Sequence, residues 1–231
     1  MGVIYVVRHG QAAFGTEHYD RLTETGFAQA RLLGAYFSLR KIRFDAVFTG
    51  TLRRQSETAQ GILEAQPQLG APPIQETFAA LDEYNPEAIL AAFTGEAPVF
   101  SAGAARRDPQ VVRQHFRVLR EALLAWAEER IAPAGMPVWQ AFQEGAVAAL
   151  IEACQRFADG NVLVVSSGGP IAAMVAAALK APPATAVELN LRIRNSSLTE
   201  FASTPRRHHL VSFNGLPHLD TNPDSTLITY A

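Results

Sequence analysis

A single cysteine, Cys154, stands among the 231 residues, so neither an internal disulfide nor a cysteine-built zinc site is possible. It falls in an amphipathic helical pattern with no histidine or cationic cluster beside it, which reads as a packed side chain rather than a reactive thiol. No apolar run approaches the about 20 residues needed to cross a bilayer, so no membrane partner is expected. Met1 leads straight into a strand pattern, without the basic region and long apolar stretch of a signal peptide, and a cytoplasmic location is the expectation. Charge of one sign is missing too: 20 Lys and Arg face 22 Asp and Glu, and the arginine pairs are scattered. That balance argues against a sequence-independent grip on nucleic acid. The chain contains no HExxH, EF-hand loop or Cys/His cluster, and no GxxxxGK[ST] or GxGxxG. Metal and nucleotide readings therefore have no support, and no cofactor is expected.

What is present is a globular composition, 48% hydrophobic and 18% charged, of a length that fits one domain. Val3–Val7 is continuously apolar and β-branched, as in a buried parallel strand. Thr23 is a plausible N-cap for a helix to about Leu39. Asp45–Phe48 reads as a second strand, with Thr51 capping a helix to about Ala65. The proline-rich stretch Gln66–Pro73 is a connection, Ile74–Thr77 a short extended piece, and Phe78–Pro86 an irregular loop. Long helical patterns cover Pro109–Arg130 and Pro137–Ala158. Asn161–Ser166 is another buried strand, and Ser167-Gly168-Gly169-Pro170 opens an apolar helix ended by Pro182-Pro183. Val187–Ile193, Ser197–Ala202 and His208–Phe213 read as three late strands, followed by a loop-like tail. The alternation predicts a three-layer α/β/α sandwich with a mostly parallel mixed sheet. The domain is expected to be single over residues 1–231, with a helical insert at roughly 86–158.

In such sheets ligands sit beyond the carboxyl ends of the strands. Three segments meet there: Arg8-His9-Gly10, Thr49–Arg54 and Ser166–Gly169. Together they offer what a phosphoryl group needs. Arg8 and Arg54 are permanent cations able to bind two oxygens each, and Arg54 lies in the first turn of its helix. Gly168 and Gly169 present backbone N–H groups at the start of another. His9 can act as a nucleophile when neutral, a form that neighbouring arginines favour by depressing its pKa. Asp82 or Glu83 is in position to supply the acid that protonates the leaving oxygen.

These motifs carry a resemblance. Val6-Val7-Arg8-His9-Gly10-Gln11, Leu22-Thr23-Glu24-Thr25-Gly26, and Phe44–Ala59 with its Thr51-Leu52-Arg53-Arg54 look like the histidine phosphatase superfamily, the phosphoglycerate mutase-like group. Leu81-Asp82-Glu83 resembles its acid-bearing loop, Val164–Ile171 its second catalytic turn, and Asn195–Glu200 and Phe213–Leu219 its late strands. The resemblance implies a phosphohistidine on His9, with Arg8 and Arg54 binding the transferring group. It implies Glu83 as the acid, leaving Asp82 as a surface charge and Arg53 as a solvated one. Gln11, Arg8, Arg54, Ser167 and Gly168 are the implied substrate contacts. The implied activity is metal-independent hydrolysis of a small organic phosphate ester, by a monomer or homodimer.

The chain also departs from the pattern. Ser167 stands where the family has a second histidine, Ala12 where serine is common, and Gly15 where asparagine often contacts phosphate. A serine carries no charge, and losing one such contact often costs on the order of 10²-fold in rate. His18, His208, His209 and His218 are possible substitutes, each read as surface or structural. A weakly active or non-catalytic phosphoryl-ligand binder, or a phosphoglycerate mutase, are the alternatives. The mutases' Gly-Trp-x-Asp stretch is replaced by His18-Tyr19-Asp20-Arg21, which favours a hydrolase. Specificity is expected from the loops Ala12–Arg21 and Phe93–Asp108, with Phe14, Tyr84, Phe93 and Phe100 as an apolar wall.

Overall fold

The computed structural model describes residues 2–13, 20–66, 71–96, 109–204, 207–220 and 222–230. Its frame is one six-stranded sheet in the order β3-β2-β4-β1-β5-β6, formed by β1 (Gly2–Arg8), β2 (Ala46–Thr49), β3 (Ile74–Thr77), β4 (Asn161–Ser166), β5 (Leu198–Thr204) and β6 (Arg207–Gly215). The first four strands are mutually parallel; β5 runs antiparallel to β1 and β6 antiparallel to β5. The strands with continuous apolar runs are central because both their faces are covered. Along β1, Ile4 and Val6 enter one core while Tyr5 and Val7 enter the other. In β4, Val162 and Val164 split from Leu163 and Val165 in the same way. This period of two, buried on each side, makes the expected three-layer α/β/α sandwich.

The smaller core packs α1 (Glu24–Leu39) and α2 (Arg53–Glu64) through Ala30, Leu33, Phe37, Ala59 and Ile62. The larger core lies under α3 (Pro86–Thr94), α4 (Pro109–Ala127), α5 (Trp139–Arg156), α6 (Gly168–Ala178) and α7 (Pro183–Asn190), around Trp126, Trp139 and Phe201. Cys154 is buried in it, and burial pushes its thiol up to about 11, so it is inert packing. Among the described residues no helix is long and apolar enough to cross a membrane.

Two local expectations are corrected, and one helix is added. The stretch Val187–Ile193 is not a strand: α7 occupies Pro183–Asn190. Proline at the first helical position is pre-organised for a helix, so Pro183 starts an element where Pro182-Pro183 suggested only an end. Ala186 and Val187 then bury into the larger core, and packing overrides the strand-like alternation. Thr51 is not the cap of α2, which begins after Leu52 with no side-chain cap from that residue. Residues from Pro86 form a distinct helix, α3, capped by Asn85 and closed by Gly95 at φ 76°, a left-handed conformation suited to glycine. The loop before it contains one short 3-10 turn, Ala79–Leu81. The late strands His208–Phe213 and Ser197–Ala202 extend slightly further than expected, and a second 3-10 turn, Ser225–Leu227, interrupts the tail.

Candidate active site

Parallel register brings the segments together. Arg8 is opposite Ser166 and Val165 is opposite Thr49, so the ends of β1, β4 and β2 form one rim. The first turn of α1 closes on it from the side. A Cβ at Gly26 would fall 2.2 Å from the Gln11 carbonyl oxygen, so only glycine permits that approach.

His9 is 3% exposed, and its backbone is fixed on both sides. Its N–H donates to Ser166 O at 2.9 Å, and its carbonyl accepts from Ser196 N–H at 3.2 Å. The ring is oriented by two further bonds. Arg54 Nε lies 3.1 Å from His9 Nε2, and His9 Nδ1 lies 2.8 Å from the Gly10 carbonyl oxygen. A guanidinium nitrogen can only donate and a carbonyl can only accept. The proton therefore sits on Nδ1, and the lone pair of Nε2 faces Arg54. Burial holds the His9 pKa well below its ordinary value, with Arg8 and then Arg54 adding to the effect. The sequence reading credited the arginines alone; desolvation contributes more.

Arg54 is buried, and its Nη1 is 2.9 Å from Asp20 Oδ1. The other Asp20 oxygen accepts the Arg53 N–H at 2.8 Å, so Asp20 supplies the anionic cap of α2 that Thr51 was expected to supply. Thr51 instead donates both its N–H and its hydroxyl to Asp82, at 2.6 and 2.5 Å. Asp82 is thus an anchor for the acid loop rather than a loose surface charge. Arg53 is exposed and paired with Glu57, as its solvated reading required. Arg8 is buried, and its Nη1 donates to Ile193 O at 2.5 Å.

Glu83 reaches back to the second turn, where its Oε1 accepts the Gly169 N–H at 3.0 Å. A Cβ at Gly169 would sit 2.3 Å from that oxygen, so the contact needs glycine. Burial raises the Glu83 pKa, against the opposing pull of Arg54, Arg8 and the Gly169 and Tyr84 amides. A carboxyl whose pKa burial raises is shifted toward the form that can donate a proton. The donor it uses is the Gly169 amide, whereas Gly168 is buried against Asn190.

Ser167 is completely buried, and its hydroxyl accepts from Gln55 Nε2 at 2.9 Å. The same Gln55 nitrogen donates to Leu81 O at 2.8 Å, and Ser166 Oγ donates to that carbonyl at 2.7 Å. Gln55, which the sequence reading quoted without a role, therefore ties Ser167 to the loop carrying Glu83. Gln11 faces elsewhere: its Oε1 accepts from Thr23 Oγ1 at 2.8 Å, and its N–H donates to Gln29 at 2.8 Å. Through these bonds it braces the start of α1.

Among the described residues, His208, His209 and His218 are engaged elsewhere. His208 and His209 lie on β6, paired with Ser203 and Ala202. His218 is buried against Ser196 Oγ at 2.9 Å, and burial lowers its pKa to about 4. His18, Phe14, Gly15 and Phe100 lie outside the described residues. A cavity of about 380 Å³ opens onto Arg8, Glu83 and Tyr84; Phe93 is not part of its lining.

The model of the histidine phosphatase superfamily, branch 1, matches residues 4–91 and 101–215. Over shorter stretches the chain is 35% identical, across 68 residues, to a 2,3-bisphosphoglycerate-dependent phosphoglycerate mutase of Mesorhizobium japonicum, covering 27% of this chain and 33% of that protein. It is 37% identical across 76 residues to one of a Methylobacterium species, covering 30% and 35%. The matched stretch thus spans about a third of these relatives. Among solved structures, phosphoserine phosphatase of Entamoeba histolytica superposes with a TM-score of 0.64 at 20% identity, covering 95% of this chain and all of that one. Phosphoglycerate mutase of Bacillus anthracis gives 0.62 at 22%, covering 94% of each. These structures share the sandwich fold. Because the family model spans most of the chain, including both strand-end turns and the late strands, the chain belongs to the histidine phosphatase superfamily.

Proposed function

We propose that this protein is a metal-independent phosphomonoesterase working through a phosphohistidine on His9. The observation that carries the reading is the tautomer: Nδ1–H held by Gly10 O, and Nε2 presented as an acceptor beside two buried arginines. In the first step the Nε2 lone pair attacks phosphorus and the bond to the ester oxygen breaks. The Glu83 proton goes to that oxygen, releasing the alcohol. In the second, the Glu83 carboxylate takes a proton from water, the resulting hydroxide attacks phosphorus, and the P–N bond breaks to free phosphate. Arg8 and Arg54 balance the charge on the phosphoryl oxygens throughout.

Phosphate release from a panel of esters, measured with chelator present, tests this. His9→Ala is expected to lose at least ~10⁴-fold in kcat, as removal of a nucleophile does. Hydrolysis undiminished in that variant would end the reading. The resemblance to phosphoglycerate mutases favours one other outcome. The shared first step would then be followed by transfer between glycerate positions, visible as isomerised phosphoglycerate without free phosphate.

A further inference from the structure

We propose that the cavity beside Arg8 and Glu83 selects phosphate esters of a bulky, largely apolar alcohol that carries a second anionic group, and that Arg192 reads that group. The proposal rests on the phosphatase reading for placing the phosphoryl group at Arg8.

Size comes first. At about 380 Å³ the cavity holds roughly a dozen waters, at ~30 Å³ each, and falls within the range of small-molecule sites. A three-carbon acid would leave most of that wall wet. The wall is apolar: Tyr84 from the acid loop, Phe116 and Leu119 from α4, and Leu191 and Ile193 from the stretch after α7. Burying such a surface against a small polar body gains little, and against an aromatic or branched one much more.

The wall is also registered on the catalytic groups. Arg8 donates to Ile193 O, and Asn190 Nδ2 donates to Tyr84 OH at 2.8 Å. Residues 190–193 are thereby tied at one end to the phosphoryl-binding arginine and at the other to the neighbour of Glu83. A ligand seated on this stretch is held at a defined distance from phosphorus.

Arg192 sits on the same stretch and lines the cavity. Its backbone is pinned, since its N–H donates to Leu189 O and its carbonyl accepts from Asn214 Nδ2. Its guanidinium forms no ion pair among the described residues. Two residues on, Arg194 is satisfied by the Asn214 carbonyl. The only carboxylate in the described lining is Glu83, already engaged by Gly169. His115, also lining, is held toward its neutral form by burial. Among its described residues the wall therefore offers one cation beyond those the phosphoryl group uses, at an exposed position that suits a carboxylate or a second phosphate.

Non-hydrolysable phosphonates test this without turnover. Titration calorimetry of the intact protein with 4-carboxybenzylphosphonate is expected to give about tenfold tighter binding than benzylphosphonate, the scale of one charge-assisted hydrogen bond. Arg192→Ala is expected to erase that difference while leaving benzylphosphonate affinity within about twofold, which also certifies the fold. Arg192→Lys should keep part of it, and 3-phosphonopropionate should bind more weakly than the aromatic diacid. Equal binding of the two benzyl compounds, a preference that survives Arg192→Ala, or tighter binding of the three-carbon compound would each overturn the proposal. A preference lost in Arg192→Ala, in a protein that releases phosphate from no ester, would uphold the pocket and reject the phosphatase reading.

Discussion

Two turns lie side by side at the carboxyl end of the sheet, one after β1 and one after β4, and they contribute opposite things. The first, Arg8-His9-Gly10, carries charge and the proposed nucleophile, whose backbone and ring are held by neighbours. The second, Ser166-Ser167-Gly168-Gly169, has no ionisable side chain at all. What it supplies is closeness: a glycine amide for Glu83, and hydroxyls that hold the acid loop through Leu81 O and Gln55. The difference teaches what a neutral side chain at 167 does for its neighbour in the proposed mechanism. A protonated imidazole at 167 would pull the Glu83 pKa down, whereas a neutral hydroxyl leaves burial free to raise it.

Removing the acid should break the comparison most severely. Glu83→Gln is expected to lower kcat/KM by about 10³-fold, within the usual range for a general acid. The proposed mechanism needs His9 neutral and Glu83 protonated. Activity should therefore fall as pH rises through the raised Glu83 pKa, and fall again as pH drops through the lowered His9 pKa. Glu83→Gln should abolish the alkaline decline only. An unchanged pH–rate profile in that variant would remove Glu83 from the mechanism.

Ser167→His sharpens the contrast. Ser167 is completely buried and bonded to Gln55, so an imidazole there is expected to displace that amide and loosen the Glu83 loop. About a tenfold fall in kcat is expected, on the scale of one lost hydrogen bond to a charged group. A rise toward faster turnover would mean the serine is only a lost histidine. The smallest effect belongs to Asp20→Asn. Asp20 is half exposed, so solvent weakens its hold on Arg54, and Asn can still cap α2. Inhibition by inorganic phosphate should tighten about threefold as Arg54 loses its internal anion; weaker inhibition would show that Asp20 serves to aim Arg54.

The charged turn was legible in the sequence because its function lies in residue types at a strand end. Arg8, His9 and Arg54 stand where strand and helix patterns put them, and so does the two-core alternation along β1 and β4. The neutral turn was less so, because its function lies in partners from elsewhere. Nothing local marks Gln55 as the partner of Ser167, or Asp20 as the cap of a helix 33 residues on. Val187–Ile193 misled for a related reason: its alternation suits a strand, but a proline start and burial of Ala186 and Val187 made it a helix.

The central claim is that the Nε2 lone pair of His9 attacks phosphorus. Rapid acid-free quenching during turnover of a phosphate ester, followed by peptide mapping, reads this directly. The account predicts phosphate on the peptide carrying His9, bonded through Nε2, absent in His9→Ala and accumulating in Glu83→Gln with an activated aryl ester. Steady hydrolysis with no phosphopeptide, or phosphate attached to any other residue, would contradict it.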